Sequence, residues 1–208
     1  MAFLVLPGGA AQAAMISVDF DVGGGPTQAG YESFPIGVFG GAFDLSNTYA
    51  DAFGAGKDLT VRIANASSLA RTRNRNPVTG TFASMSDLLH DWVGGGGGFE
   101  LDLTAPAGTY TLTTYWHDAD VGLTDDGSEG PVNWDIEGVP QTSFHITTGD
   151  SPTVEVRTIV SSITSDGSAV DLYFDSGAAK LNGFDIIPEP ATLGLLALGG
   201  PAILRRRK

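Results

Sequence analysis

One stretch of the chain concentrates side chains able to do chemistry: Trp116-His117-Asp118-Ala119-Asp120, followed by Asp125-Asp126-Gly127-Ser128-Glu129. Five carboxylates and an imidazole leave the end of an alternating segment, Thr109 to His117, in which Tyr110, Leu112, Thr114 and Trp116 share one face. Calcium takes about six to eight oxygen ligands, so Asp118, Asp120, Asp125, Asp126 and Glu129 are a candidate set for a structural Ca²⁺. The spacing is not that of an EF-hand loop, and a solvated acidic loop is the competing reading. Asp19 and Asp21, beside the Gly25-Pro26 turn, are a smaller group of the same kind. Sugar binding asks for something else: a flat apolar ring for the pyranose face, with polar groups beside it for the hydroxyls. Trp116 with His117 and Asp118 at a strand end meets that description, although core packing competes for Trp116. Arg73, in the cluster Arg71-Thr72-Arg73-Asn74-Arg75, adds a cation able to grip an acidic glycan. Pairing with the chain's own carboxylates is its other role.

Catalytic constellations are poorly supported. The chain has no cysteine, so thiol nucleophiles, disulfides and Cys-based zinc sites are excluded. It has no Gly-x-Ser-x-Gly elbow, and its three histidines occupy ordinary contexts. No catalytic residue is assigned. A carboxylate pair for glycoside hydrolysis is the lesser alternative, since sequence spacing does not give the distance between two acids. The net charge is −13 over 208 residues; without Glu189 and the four basic residues 205–208 it is −16, from 7 basic and 23 acidic side chains. Such a surface repels nucleic acid.

These residues need elements to hold them. Ile16, Val18 and Phe20 alternate with polar neighbours in a first strand. Val38–Leu45 and Leu59–Ala64 follow as strands, with residues 28–34 and 47–57 read as loops. Met85, Leu88, Leu89 and Trp92 share one face at helical spacing, which predicts one short helix over Ser84–Val93 capped by Ser84 or Ser86. Gly94 to Gly98 end it as a connector. Phe99–Thr104, turned by Pro106-Ala107-Gly108 into Thr109–His117, reads as a hairpin. Val132–Ile136, Gln141–Ile146, Thr153–Val160, Ala169–Phe174 and Lys180–Ile187 complete the series. Short strands without a βαβ rhythm or a fixed repeat predict an all-β sandwich.

Val18-Asp19-Phe20 with Gln28 and Gly30-Tyr31, then Ser86-Asp87-Leu88-Leu89-His90-Asp91-Trp92, Pro106-Ala107-Gly108-Thr109-Tyr110 and Lys180-Leu181-Asn182-Gly183-Phe184, resemble galactose-binding-like jelly-roll modules found beside polysaccharide-degrading enzymes. The resemblance implies a single jelly-roll domain over residues 15–187, commonly a carbohydrate-binding module, and transfers no catalytic residue. A structural Ca²⁺ is implied by the same analogy only.

The two ends carry a different signal. Ala11-Gln12-Ala13 is a small-x-small cleavage pattern after apolar Phe3–Leu6, so residues 1–14 read as the latter half of a secretory leader whose start lies upstream. At the other end Pro188-Glu189-Pro190 precedes an uncharged run, Ala191 to Leu204, and then Arg205, Arg206, Arg207 and Lys208. Residues 188–208 resemble the PEP-CTERM sorting signal of bacterial surface proteins. That implies an exported protein, held transiently in the inner membrane by a C-terminal hydrophobic helix and processed by an exosortase, a membrane protease. Fourteen residues at ~1.5 Å each span roughly 21 Å, short of a ~30 Å hydrocarbon core, and Pro201 interrupts the run. The expected protein is therefore a cell-surface or matrix module associated with polysaccharide. A structural or adhesive surface protein without a sugar site is the alternative.

Overall fold

Burial alternates strictly along Phe99–Thr104: Phe99, Leu101 and Leu103 are buried while Glu100 faces solvent and Asp102 and Thr104 are half-buried. The same alternation in Ala169–Asp175 buries Val170, Leu172 and Phe174 and leaves Asp171 and Tyr173 outside. A period of two with one apolar face makes a half-buried strand, and the chain repeats this until two sheets enclose one core. The computed structural model describes residues 14–190, except 38–39, 68–70, 76, 95, 121–126, 153–154 and 176. The leader pattern before Ala14, Asp125 and Asp126, and the run from Ala191 through Arg205, Arg206 and Arg207 lie outside the described residues.

Among the described residues the strands are β1 (Ile16–Val22), β2 (Glu32–Ile36), β3 (Phe43–Tyr49), β4 (Leu59–Asn65) and β5 (Arg71–Asn74). A 3₁₀ turn (Gly80–Met85) leads into α1 (Ser86–His90). Then come β6 (Asp91–Gly94), β7 (Phe99–Thr104), β8 (Gly108–Asp118), β9 (Gly127–Ile136) and β10 (Val139–Pro140). β11 (Phe144–Thr148), β12 (Arg157–Ser165), β13 (Ala169–Asp175) and β14 (Lys180–Pro188) finish the order. One sheet runs β2-β1-β14-β8-β12, with β6 and then β5 joined at the start of β14. The other runs β3-β4-β7-β13-β9-β10. β11 links them, parallel to β8 and antiparallel to β9. The result is an all-β sandwich, nearly closed through β11, and it fits the expected jelly roll.

Three local expectations are corrected. β7 and β8 do not form a hairpin: β7 pairs with β4 and β13, and β8 with β12, β14 and β11. Pro106 therefore begins a crossing between sheets, where the Tyr110 hydroxyl donates to the Pro106 carbonyl (2.7 Å) and fixes the corner. The α-helix is only Ser86–His90, no side chain caps it, and Trp92 belongs to β6. The reason is Asp91, fully buried, whose Oδ2 accepts from Val22 N–H (2.8 Å) and whose carbonyl accepts from Asn182 Nδ2 (2.6 Å); extended backbone serves both bonds. Residues 32–34, within the stretch expected as loop, belong to β2, laid parallel against β1.

β1 is buried on both faces. Val18 and Phe20 enter the core, so Asp19 and Asp21 point to the opposite face, under the segment from Gly23 to Tyr31. Asp19 Oδ2 accepts from Gln28 N–H (2.6 Å) and Asp21 Oδ2 from the Thr27 hydroxyl (2.7 Å). Gln28 in turn holds α1, its Oε1 accepting from Leu88 N–H (3.3 Å). One oxygen each of Asp19, Asp21 and Asp91 is buried with no protein hydrogen-bond partner. Burial, followed by the charges of Asp21, Asp91 and Asp87, pushes Asp19 up to about 8 against the one backbone bond that lowers it. Burial and the charge of Asp21 likewise push Asp91 up to about 7.

The glycine run is ordered where it meets the sheets. Gly94 has φ +141°, and a Cβ there would lie 2.1 Å from the Ala179 carbonyl oxygen. Only glycine lets β6 approach β14 so closely.

Candidate functional site

β8 delivers Trp116, His117 and Asp118 as the sequence implies, but all three are buried. Trp116 has no exposed surface. Its ring packs against Phe174 (4.7 Å between centroids) and Phe144 (5.0 Å), and its Nε1–H donates to Thr114 Oγ1 (2.7 Å). The expectation of a sugar-stacking Trp116 is therefore corrected: both of its faces are taken up by the core. His117, on the opposite side of the strand, contacts Thr147 Oγ1 through Nδ1 (2.9 Å) and the Gly149 carbonyl through Nε2 (2.7 Å). A carbonyl only accepts, so Nε2 carries a proton. His117 thus pins residues 147–149 and does not face a ligand.

Asp118 is the hub of an ion-pair network. Its Oδ1 accepts from Arg75 Nε (2.8 Å) and Trp92 Nε1 (3.0 Å), and its Oδ2 from Lys180 Nζ (2.8 Å) and Arg75 Nη2 (3.2 Å). Arg75 also reaches Asp120 (2.8 Å), and Lys180 pairs with Glu129. Both cations lie over the Trp92 ring, at 5.6 and 5.5 Å from its centroid. Burial alone would raise the Asp118 carboxyl, but Lys180 and then Arg75 outweigh it and hold it below the usual carboxylate range. Of the expected Ca²⁺ set, Asp118, Asp120 and Glu129 instead answer Arg75 and Lys180, while Asp125 and Asp126 lie outside the described residues. Among the described residues no group of three or more acids and histidines is arranged to hold a metal ion.

The one exposed aromatic side chain among the described residues is Tyr173, which no sequence motif singles out. Register places it in a row across the outer face of the second sheet: Asp44, Ala64, Glu100, Tyr173, Asp135. The next row along holds Arg62, Asp102 and Asp171. Arg62 ties the face together, bonding Asp44 (2.7 Å), Asp102 (2.6 Å) and Glu100 (3.3 Å). Small Ala64, with Gly97 and Gly98, leaves a groove of about 750 Å³ beside the ring. A Cβ on Gly98 would sit 2.6 Å from the Tyr173 hydroxyl, so glycine is what lets the ring lie down against the connector. Burial, then the charges of Asp175, Glu100 and Asp135, holds the phenol above its usual value, so it stays a neutral donor. Asp171 is raised by burial and by Asp102, Glu137 and Glu100. The face can stack one flat apolar surface and offer hydrogen-bond acceptors on both sides. Its signal was present in the sequence: Tyr173 falls out of phase with Leu172 and Phe174 in a period-two strand.

Arg73 lies elsewhere, in a cleft of about 330 Å³ that it lines with Arg71, Arg75 and Lys180. Pro188 ends β14 opposite Tyr110, and Glu189 N–H donates to the Thr109 carbonyl (2.8 Å), so the first two residues of the Pro-Glu-Pro motif are bonded into the first sheet. No described helix is long and apolar enough to cross a membrane.

No protein-family model matches this sequence, and no curated protein matches it significantly. Among solved structures, β-glucuronidase from Bacteroides uniformis is similar at 14% identity over 84% of this chain and 18% of that one, with a TM-score of 0.49. A family 35 carbohydrate binding module from Clostridium thermocellum is similar at 13% identity over 70% of this chain and 99% of that one, with a TM-score of 0.37. The complex of plant peptide RALF23 with FER and LLG2 contains a chain similar at 12% identity over 86% and 41%, with a TM-score of 0.46. This chain spans less than a fifth of the β-glucuronidase. At such identities, and with every one of these TM-scores below 0.5, function has to be read from the chain's own residues.

Proposed function

We propose that this chain is a non-catalytic carbohydrate-binding module of an exported surface or matrix protein, with a sugar ring lying on Tyr173. The observation that carries the reading is the exposed ring of Tyr173 set between Glu100 and Asp135 above a groove. A pyranose presents an apolar face bounded by hydroxyls, and this surface offers the complement of both. Glycan-array binding, with and without EDTA, is the test. Tyr173→Ala is expected to weaken the bound glycan roughly tenfold or more, the worth of one buried aromatic face. A folded protein that binds no glycan at all leaves the structural or adhesive reading in its place. Turnover of a polysaccharide, abolished by Asp102→Asn or Asp171→Asn, would replace it with a hydrolase.

Export and sorting belong to the same proposal and are supported by the sequence of the tail. Pro188, Glu189 and Pro190, the uncharged run and Arg205, Arg206 and Arg207 would be read by an exosortase-type membrane protease while the run sits in the inner membrane. Deleting Arg205–Lys208 is expected to leave an uncut precursor in the producing cell. A product of unchanged processing and location would remove the sorting half of the proposal.

A further inference from the structure

The cleft around Arg73 is unlike the rest of this surface. Outside residues 205–208 the chain has seven basic side chains, and four of them, Arg71, Arg73, Arg75 and Lys180, line this one cleft. Arg71, Arg73 and Arg75 alternate along β5 and just beyond it, so they project to one side, with Thr72 buried on the other. Two of the four cations are spoken for, since Arg75 and Lys180 are held by Asp118, Asp120 and Glu129. Arg71 and Arg73 have no carboxylate partner among the described residues; the Arg73 guanidinium reaches only the Thr72 carbonyl (3.3 Å). Arg71 and Arg73 thus rise from backbone positions about 6.6 Å apart along an edge strand, on the same side. Like charges held together raise the local potential and favour an anion between them.

Gly96, Gly177 and the buried Trp92 complete the lining of the cleft. Gly97 and Gly98, next in the same connector, line the Tyr173 groove. One glycine run therefore borders both the cationic cleft and the aromatic groove. A densely charged polyanion such as duplex DNA, with a charge every ~1.7 Å, is repelled by a chain whose overall net charge is −13. A saccharide chain with one carboxylate per ring, or fewer, fits two isolated forks.

Resting on the carbohydrate-binding reading above, we infer that the Arg71–Arg73 cleft is a second subsite of the same surface and selects acidic polysaccharide by its ring carboxylates. Arginine is suited to this because its planar fork meets a carboxylate with two parallel hydrogen bonds.

The experiment compares one polyuronate with its carboxyl-reduced form, by affinity electrophoresis or calorimetry on the whole chain at low and moderate salt. The wild type is expected to bind the polyuronate at least about tenfold more tightly, as charge-assisted bonds require, with the preference shrinking as salt rises. Arg71→Gln with Arg73→Gln should erase the preference and leave affinity for the carboxyl-reduced polymer unchanged. Arg71 is exposed, Arg73 is half-buried, and neither has a carboxylate partner among the described residues, so the double variant is expected to fold; an unchanged melting temperature checks this. Equal affinity for the two polymers overturns the subsite while leaving the Tyr173 reading intact. Failure to bind either polymer overturns the subsite, and only failure across the whole glycan array overturns the Tyr173 reading with it. Stronger binding to a sulfated glycan or to single-stranded DNA than to the polyuronate marks an unselective anion patch, and also overturns it.

Discussion

Asp118→Ala is expected to destabilise the domain by about 3–5 kcal/mol, the usual cost of removing one partner from a buried charge network. For a chain of this size that is a fall in melting temperature of roughly 10 °C. Asp118 is 1% exposed and accepts four bonds from three residues. Its loss leaves Lys180, nearly as buried, with Glu129 alone, strips Arg75 of its bidentate partner and leaves the Trp92 indole N–H without its acceptor. Those residues come from β6, β8, β14 and the segment after β5, so the damage spreads across the first sheet. Asp118→Asn keeps an acceptor for Trp92 and should cost less than alanine but clearly more than a surface change. Thermal denaturation of the three proteins decides it. A loss below about 1 kcal/mol for alanine would show the network to be solvated and not structural. Because the folded carboxyl is held below its usual value, this contribution is present above the unfolded pKa near 3.8 and is lost as pH falls through the lower folded value.

The second large effect runs the other way with pH. Asp19 and Asp91 are pushed up to about 8 and about 7 from 3.8. The folded protein therefore keeps protons that the unfolded chain releases. Between pH 4 and 8 the unfolded state binds fewer protons, so stability falls as pH rises and levels off above about 8. Each unit of raised pKa corresponds to about 1.4 kcal/mol, and the two sites share the charge of Asp21, so a few kcal/mol are expected across that range. Melting temperature should peak near pH 4–5, where these carboxyls are neutral in the fold and Asp118 is still ionised. Asp19→Asn keeps the acceptor for Gln28 N–H and removes the charge. It should raise the melting temperature at pH 8 and flatten its dependence on pH. A profile that is level from pH 5 to 8 in the wild type would sink this account.

Period-two alternation was legible wherever a strand has one wet face, as at Phe99–Thr104 and Ala169–Asp175, and those strands stand nearly where expected. It was illegible where both faces are dry. β1 carries Asp19 and Asp21 on a buried face, which in sequence is indistinguishable from a solvated one. The 7–8 hairpin failed for a related reason. Two amphipathic strands joined by a Pro-Gly corner look alike whether they pair side by side or face each other across a core. The helix was overrun into β6 because Trp92 has helical spacing from Met85, while Asn182, the residue that demands extended backbone at Asp91, lies far along the chain. The candidate site was misjudged at the same long range. Nothing within ten residues of Asp118 announces Arg75 or Lys180, so a carboxylate that closes a network read as a free ligand. Tyr173 was readable, and its phase in β13 is the clue that sequence spacing does supply.

The place of β14 in the first sheet has a consequence for how the molecule comes into being. β14 is the last of the described strands, yet it lies between β8 on one edge and β1 with β6 on the other. β1 must wait for β14, more than 150 residues along the chain, before it gains its antiparallel neighbour, with β2 beside it until then. Lys180, which completes the Asp118 network, arrives with that same strand. Contacts of such long sequence separation form late, because the entropy of closing the loop is spent first. Until β14 docks, the first sheet therefore lacks its central strand and stays open.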